Sequence, residues 1–198
     1  MYITTFQYRA EQLNCKLCTQ FKSRRCAAKR CPWLAEHVET GAAKYQEAIR
    51  EALPRSHHLC NRPHNATWRF SGSLFLTAAH RQRMRTLQKR MGRHRSRDTP
   101  AYFAAMYLLT ANGELYQRAA NCIFKSGIDF SFATLRGMTP HDYTLFSAAR
   151  DIYEDHSGVT LADLSNSTVV DTLAFSLISN ALLIVRYGSA VLERGNGA

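Results

Sequence analysis

Two Thr-Pro pairs, Thr99-Pro100 and Thr139-Pro140, each lead a run of apolar residues at helical spacing, and this punctuation constrains the fold more than any other feature of the chain. A threonine hydroxyl can accept from an orphan backbone N–H at a helix start, and proline is preorganised for the first helical position. The first pair predicts a helix carrying Tyr102, Phe103, Met106, Tyr107, Leu108 and Leu109, stopped by Asn112-Gly113. A second helix over residues 114–124 buries Leu115, Ala119, Cys122 and Ile123 and ends at Gly127. The second pair, with Asp142 at N3 as a capping-box variant, predicts a helix that turns Tyr143, Phe146, Ala149, Ile152 and Tyr153 inward, and Gly158 closes it. Leu161 and Leu164 form a small apolar turn, and Thr168 is expected to cap a last helix that is apolar on most sides and therefore central. No alternating β-branched run lies between turn signals, so the expected class is all-α, a helical bundle with an N-terminal loop stapled by zinc through four cysteines.

The N-terminal half is organised differently. Four of the six cysteines fall within 17 residues, as Cys15, Cys18, Cys26 and Cys31. The Cys15/Cys18 spacing is that of a zinc knuckle, and four thiolates complete a tetrahedral Zn²⁺ with no open position, which points to structure rather than catalysis. Lys22, Arg24, Arg25, Lys29 and Arg30 lie among the ligands, where they favour thiolate, offset the charge of the centre and are expected to contact the anionic partner. Cys60, with His57 and His64, is a weaker second metal candidate, and Cys122 is expected to pack as a small apolar residue. After Pro32, a helix through Leu34, Val38, Ala42, Tyr45, Ile49 and Leu53 runs to Pro54, and residues 54–72 read as a linker. Trp68 and Phe70 in that linker either stack on bases or anchor it to the core. The expected units are residues 1–36 as the zinc-binding segment, 37–72 as connecting helix and linker, and 73–198 as the helical domain.

Charge separates the two halves. Residues 1–98 hold 20 Lys and Arg against 6 Asp and Glu, a balance of +14, whereas residues 99–198 hold 6 against 9, a balance of −3. Between Thr77 and Gly92, Met84, Leu87 and Met91 step by three and four along one face, while Arg81, Arg85 and Lys89 climb another. A helix laid on the core with a cationic outer side follows, and Arg93, Arg95 and Arg97 extend the charge beyond it. Arginine predominates, which suits two-pronged contact with phosphate or carboxylate. The expected partner is therefore a nucleic acid, a nucleoprotein or an acidic protein surface.

Other classes are disfavoured. The apolar stretch from Val169 to Val185 is interrupted by Asp171, Ser176, Ser179 and Asn180 and falls short of a membrane span. The first residues lack the basic and apolar regions of a secretory signal, so a reducing, cytoplasmic setting is expected. Phosphate-loop, dinucleotide, zinc-protease and nucleophile-elbow motifs are all missing. In the helical half, His141-Asp142 and Glu154-Asp155-His156 are groupings that could carry acid–base or cation chemistry, and both are explained as helix-end residues. No enzyme is expected.

Two blocks carry a family likeness. Cys31-Pro32-Trp33-Leu34-Ala35-Glu36 is one; the other is the stretch from Thr99 to Asn112 together with Leu135-Arg136-Gly137-Met138-Thr139-Pro140-His141-Asp142-Tyr143-Thr144-Leu145-Phe146. They resemble an uncharacterised family of roughly 200-residue proteins carried on integrative and conjugative elements and phages of gut Firmicutes. The resemblance brings no established active site. It implies a bacterial host cell and cargo of mobile DNA, which either disarms host defence, most concretely by inhibiting a CRISPR effector, or serves as a DNA- or RNA-binding accessory of the element.

Overall fold

The computed structural model describes residues 21–22, 25–26, 44–53, 59, 61–68, 70–156 and 158–193. Within this range the chain is mainly helical. Two short strands, β1 (Phe21–Lys22) and β2 (Arg25–Cys26), pair antiparallel with Phe21 opposite Cys26 and Lys22 opposite Arg25. The helices are α1 (Tyr45–Ala52), α2 (Arg62–Trp68), α3 (Ala78–Met91), α4 (Pro100–Leu109), α5 (Gly113–Ala119), α6 (Pro140–Glu154), α7 (Leu161–Ser165) and α8 (Thr172–Tyr187). Short 3₁₀ turns at Ala120–Cys122, Phe130–Phe132 and Ser189–Glu193 extend α5, precede α6 and follow α8.

The Thr-Pro pairs act as the sequence predicts. The Thr99 hydroxyl accepts from the Tyr102 N–H at 3.1 Å, and the Thr139 hydroxyl accepts from the Asp142 N–H at 3.1 Å, each with proline opening the helix. The helices so started, α4 and α6, pack against each other, and α8 lies against α4, α6, α1 and α2. The centre of this arrangement is apolar on nearly every side: residues 104–109 of α4 are all buried, as are Ala174, Phe175, Leu177, Ile178, Ala181, Leu183 and Ile184 of α8. Burial of that many large side chains is the main source of stability, at about 1.5–3 kcal/mol for each fully buried one.

Several local expectations are corrected. Asn112 does not stop α4 but caps α5, accepting from the Leu115 N–H at 2.8 Å. Its amide donates to Asp142 at 2.5 Å, so that carboxylate ties α6 to α5 instead of returning to the N-cap of its own helix. The second helix unwinds at Ala119, because residues 122–129 reverse direction through a bridge between Ile123 and Ile128. Gly127 is needed there, since a Cβ would stand 2.6 Å from the Tyr153 hydroxyl that receives the Ile128 N–H. Tyr143 is exposed, α6 ends on left-handed Asp155 before Gly158, and Asp171 rather than Thr168 caps α8. The expected linker contains α2, whose Pro63 sits in the first turn where a helix tolerates it.

A buried polar network fastens α1 and the irregular segment before α3 to this core. The Tyr45 hydroxyl donates to Asn180 Oδ1 at 2.7 Å, while Asn180 Nδ2 donates at 3.2 Å to both the Tyr107 hydroxyl and the Leu74 carbonyl. Tyr107 in turn donates to the Leu74 carbonyl, and Phe70 stacks on Tyr45 with ring centroids 3.8 Å apart. Arg62 on α2 donates to the carbonyls of Leu164, Val170 and Asp171 and lies over the Phe175 ring. Phe70 therefore anchors its segment, whereas Trp68 is 84% exposed.

Candidate cationic ridge and groove

Helix α3 begins at Thr77, whose hydroxyl accepts from the His80 N–H, and ends at Gly92, whose φ of 67° suits only glycine without strain. Its inward stripe is His80, Met84 and Leu87, with Met91 half-buried. The sequence stripe of Met84, Leu87 and Met91 is therefore right but begins one turn too late. His80 lies four residues before Met84, a continuation hidden by its polarity.

His80 is fully buried and its ring is bonded at both nitrogens. Nδ1 lies 3.2 Å from the Leu76 N–H, which must donate to it, so Nε2 carries the proton and donates to the Tyr107 carbonyl at 2.9 Å. Burial, reinforced by nearby Arg83, outweighs the carbonyl contact and lowers the imidazole pKa to about 4, so the ring is neutral at pH 7.

The arginines of the run divide into two groups. Arg83 donates from Nε and an Nη to the carbonyls of Thr110 and Ala111, both at 2.8 Å, and so satisfies the end of α4. Arg81 reaches the Ser73 hydroxyl at 3.2 Å and lies over the Phe75 ring. Arg97, expected to face a partner, is only 5% exposed. Its guanidinium donates to Asp98 at 2.6 and 2.8 Å and to the carbonyls of Met91, Gly92 and Lys125, and it lies over the Tyr102 ring. This corrects the sequence expectation: Arg97 staples the end of α3 to the turn after α5. No spacing rule separates it from its neighbours, because the chain must first turn after α3 to bring Asp98 and the carbonyls of Met91 and Gly92 around it, and its fourth partner, the Lys125 carbonyl, is 28 residues away.

Arg85, Lys89, Arg90, Arg93 and Arg95 form the second group. All five are exposed, and among the described residues none has a side-chain ion pair or hydrogen bond. Three of them, Arg85, Lys89 and Arg93, form one wall of an open groove of about 770 Å³ between α3, α4 and the 3₁₀ turn after α8. Its apolar lining includes Met84, Met91, Phe103, Met106, Ala190 and Leu192. Tyr102 also lines it, and its buried hydroxyl makes no hydrogen bond among the described residues.

The predicted zinc ligands Cys15, Cys18 and Cys31 and the basic residues Arg24, Lys29 and Arg30 lie outside the described residues, as do His57, His58 and Cys60. Of Lys22, Arg25 and Cys26 only the backbone is described. Cys122 is buried as expected, and burial pushes its thiol up to about 11, which keeps it protonated and unreactive.

The two histidines considered for chemistry are tied to helix ends. His141 Nδ1 lies 2.5 Å from Asp171 Oδ2, and Asp171 also caps α8 through the Ala174 N–H at 2.8 Å. That carboxyl is held below its usual range: burial works against ionisation, but the Ala174 N–H and His141 prevail. His156 Nδ1 lies 3.3 Å from Asp151, whose other oxygen accepts from the Val159 N–H. Among the described residues no three His, Cys, Asp or Glu side chains group as a metal requires. No helix there is long and apolar enough to cross a membrane.

No family model, curated protein or solved structure matches the chain.

Proposed function

We propose that the protein is a non-enzymatic binding protein that engages a host nucleoprotein through its cationic half, most concretely as an inhibitor of a CRISPR effector in a bacterial cytoplasm. The observation that carries the reading is the division of labour around α3. Arg83 and Arg97 are consumed in holding the fold, while Arg85, Lys89, Arg90, Arg93 and Arg95 stand exposed with no ion pair among the described residues, and Asp98, the carboxylate that lines the groove beside them, is already held by Arg97. Such a row repels itself, and an anionic partner relieves that cost. The likeness of Cys31–Glu36 and of the Thr99 and Thr139 blocks to mobile-element proteins supplies the setting.

The cysteine-rich segment belongs to the same reading as a structural Zn²⁺ site on Cys15, Cys18, Cys26 and Cys31. The spacing of the four residues supports it. Purified protein should carry about one equivalent of zinc. Cys26→Ser should release the metal and loosen the segment.

Affinity purification from a host lysate, with and without nuclease, tests the function. A specific ribonucleoprotein that co-purifies with the wild type but not with Arg85→Glu/Lys89→Glu/Arg93→Glu supports it. Indifference to those substitutions overturns it. Recovery of bulk nucleic acid alone, lost with nuclease and with rising salt, would instead favour the accessory role.

A further inference from the structure

The groove beside the ridge has two kinds of surface, and each demands something different of an occupant. Its wall presents Arg85, Lys89 and Arg93, four residues apart, so the first two rise about 6 Å along α3. The lining below is thioether and aliphatic, from Met84, Met91, Met106, Ala190 and Leu192, with Phe103 half-buried among them.

A polynucleotide would satisfy the wall but not the lining. Bases stack on free aromatic faces, and the groove's rings are already engaged. The Arg97 guanidinium lies 4.7 Å from the centroid of Tyr102, and Phe103 meets Tyr102 at 5.7 Å and 68°. Phe75 has Arg81 over its ring at 5.3 Å and the His80 ring edge-on at 5.0 Å. What remains is a slot for aliphatic side chains, and methionine is the residue that adapts most readily to such anchors.

We infer that this groove is the docking site for an acidic amphipathic helix of a protein partner. The helix would bury Leu-, Ile- or Met-type anchors at i, i+3/i+4 and i+7 against Met91, Phe103 and Ala190, the apolar lining residues that are not fully buried. Carboxylates spaced four residues apart on its flank would reach Arg85, Lys89 and Arg93. Charge complementarity fixes the sign of the partner, and the apolar lining fixes its class as protein. The inference rests on the proposed binding role and sharpens it: the cationic ridge then reads protein rather than nucleic-acid backbone.

A display selection of random 16-residue peptides against the full chain tests it, with Ala190→Trp as the discriminating variant. Ala190 is exposed at the groove wall, so the indole fills the slot while leaving every cation and the buried core in place. Selected peptides should be acidic, carry apolar residues at helical spacing, and lose at least tenfold in affinity on both Ala190→Trp and Arg85→Glu/Lys89→Glu. Circular dichroism melts of each variant should match the wild type. Acidic peptides without apolar periodicity, or binding unaffected by Ala190→Trp, would overturn the groove while leaving the cationic role intact. A chain that selects no acidic peptide but binds a 20-nucleotide single strand, equally in wild type and Ala190→Trp, would overturn it in favour of nucleic acid. If the chain binds neither probe, the groove inference and the anion-binding role fall together.

Discussion

Helices α8 and α3 are similar in length, yet their sequences serve opposite ends. α8 is apolar nearly all round, and ten of its sixteen residues are buried. α3 buries three of fourteen, lies against no helix as closely as α4, α6 and α8 lie against one another, and is held through long side chains. Arg83 and His80 bond it to α4, and Arg97 bonds its end to the turn at Lys125. The fold would lose its centre without α8, whereas α3 leaves most of its surface to solvent and is fastened by a few side-chain bonds.

The comparison breaks most directly in the core. Ile184 is fully buried in α8, and Ile184→Ala should cost about 3 kcal/mol, from lost transfer energy and the cavity left behind, read as a lower urea midpoint. A loss below about 1 kcal/mol would mean that α8 is not the centre.

Acid should loosen α3 first. In the unfolded chain His80 takes a proton near its ordinary pKa of 6.5, whereas in the folded protein burial delays this to about 4. Between those values the unfolded state binds more protons, so stability falls as pH drops from about 6.5 to about 4 and is full above that window. The shift corresponds to a loss of roughly 3 kcal/mol at its lower end. Because the ring bonds the Tyr107 carbonyl and the Leu76 N–H, amides of residues 76–87 should lose protection from hydrogen exchange before those of α8. His80→Gln should flatten the slope in this window, and an unchanged slope would show that His80 does not set it.

Arg97→Ala comes next. It removes a buried guanidinium that donates to the carbonyls of Met91, Gly92 and Lys125 and uncovers the Tyr102 ring, at a cost of about 2 kcal/mol. The neighbouring Arg95→Ala should change the thermal midpoint hardly at all. Equal effects of the two would erase the distinction between structural and presented arginines.

How far these differences can be read from the sequence follows from the range of the interactions that decide them. Thr77, Thr99, Thr139, Gly92 and the Met84–Leu87 stripe act within one or two helical turns, and their roles are legible directly. Asp142 and Asp171 also sit at helix starts, but Asp142 pairs with Asn112, 30 residues earlier, and Asp171 displaces Thr168 as the cap of α8. Arg97 and Arg95 look alike in sequence because what separates them is how the turn after α3 folds back, which places Arg97 on Asp98, on the Met91 and Gly92 carbonyls and on Lys125, 28 residues away. The groove needs α3, α4 and the turn after α8 together, and no local pattern announces it.

The smallest expected effect separates a presented surface from a merely solvated one. Arg85 has Arg81 four residues before it and Lys89 four after, and like charges at that spacing each weaken a helix by about 0.2–0.5 kcal/mol. Arg85→Glu turns both repulsions into attractions, a gain of about 1 kcal/mol at the lower end of that range, so the thermal midpoint should rise by about 2–4 °C in a chain of this size. Had the helix been arranged for stability alone, a carboxylate would already serve that position better than arginine does. The same variant should lose most of its affinity for an acidic partner, because one of the three cations on the groove wall changes sign. A gain in stability joined to a loss of binding is the signature expected of a residue kept for its partner. If Arg85→Glu instead lowers the midpoint, Arg85 supports the fold through contacts of its own, and the contrast between α3 and α8 weakens accordingly.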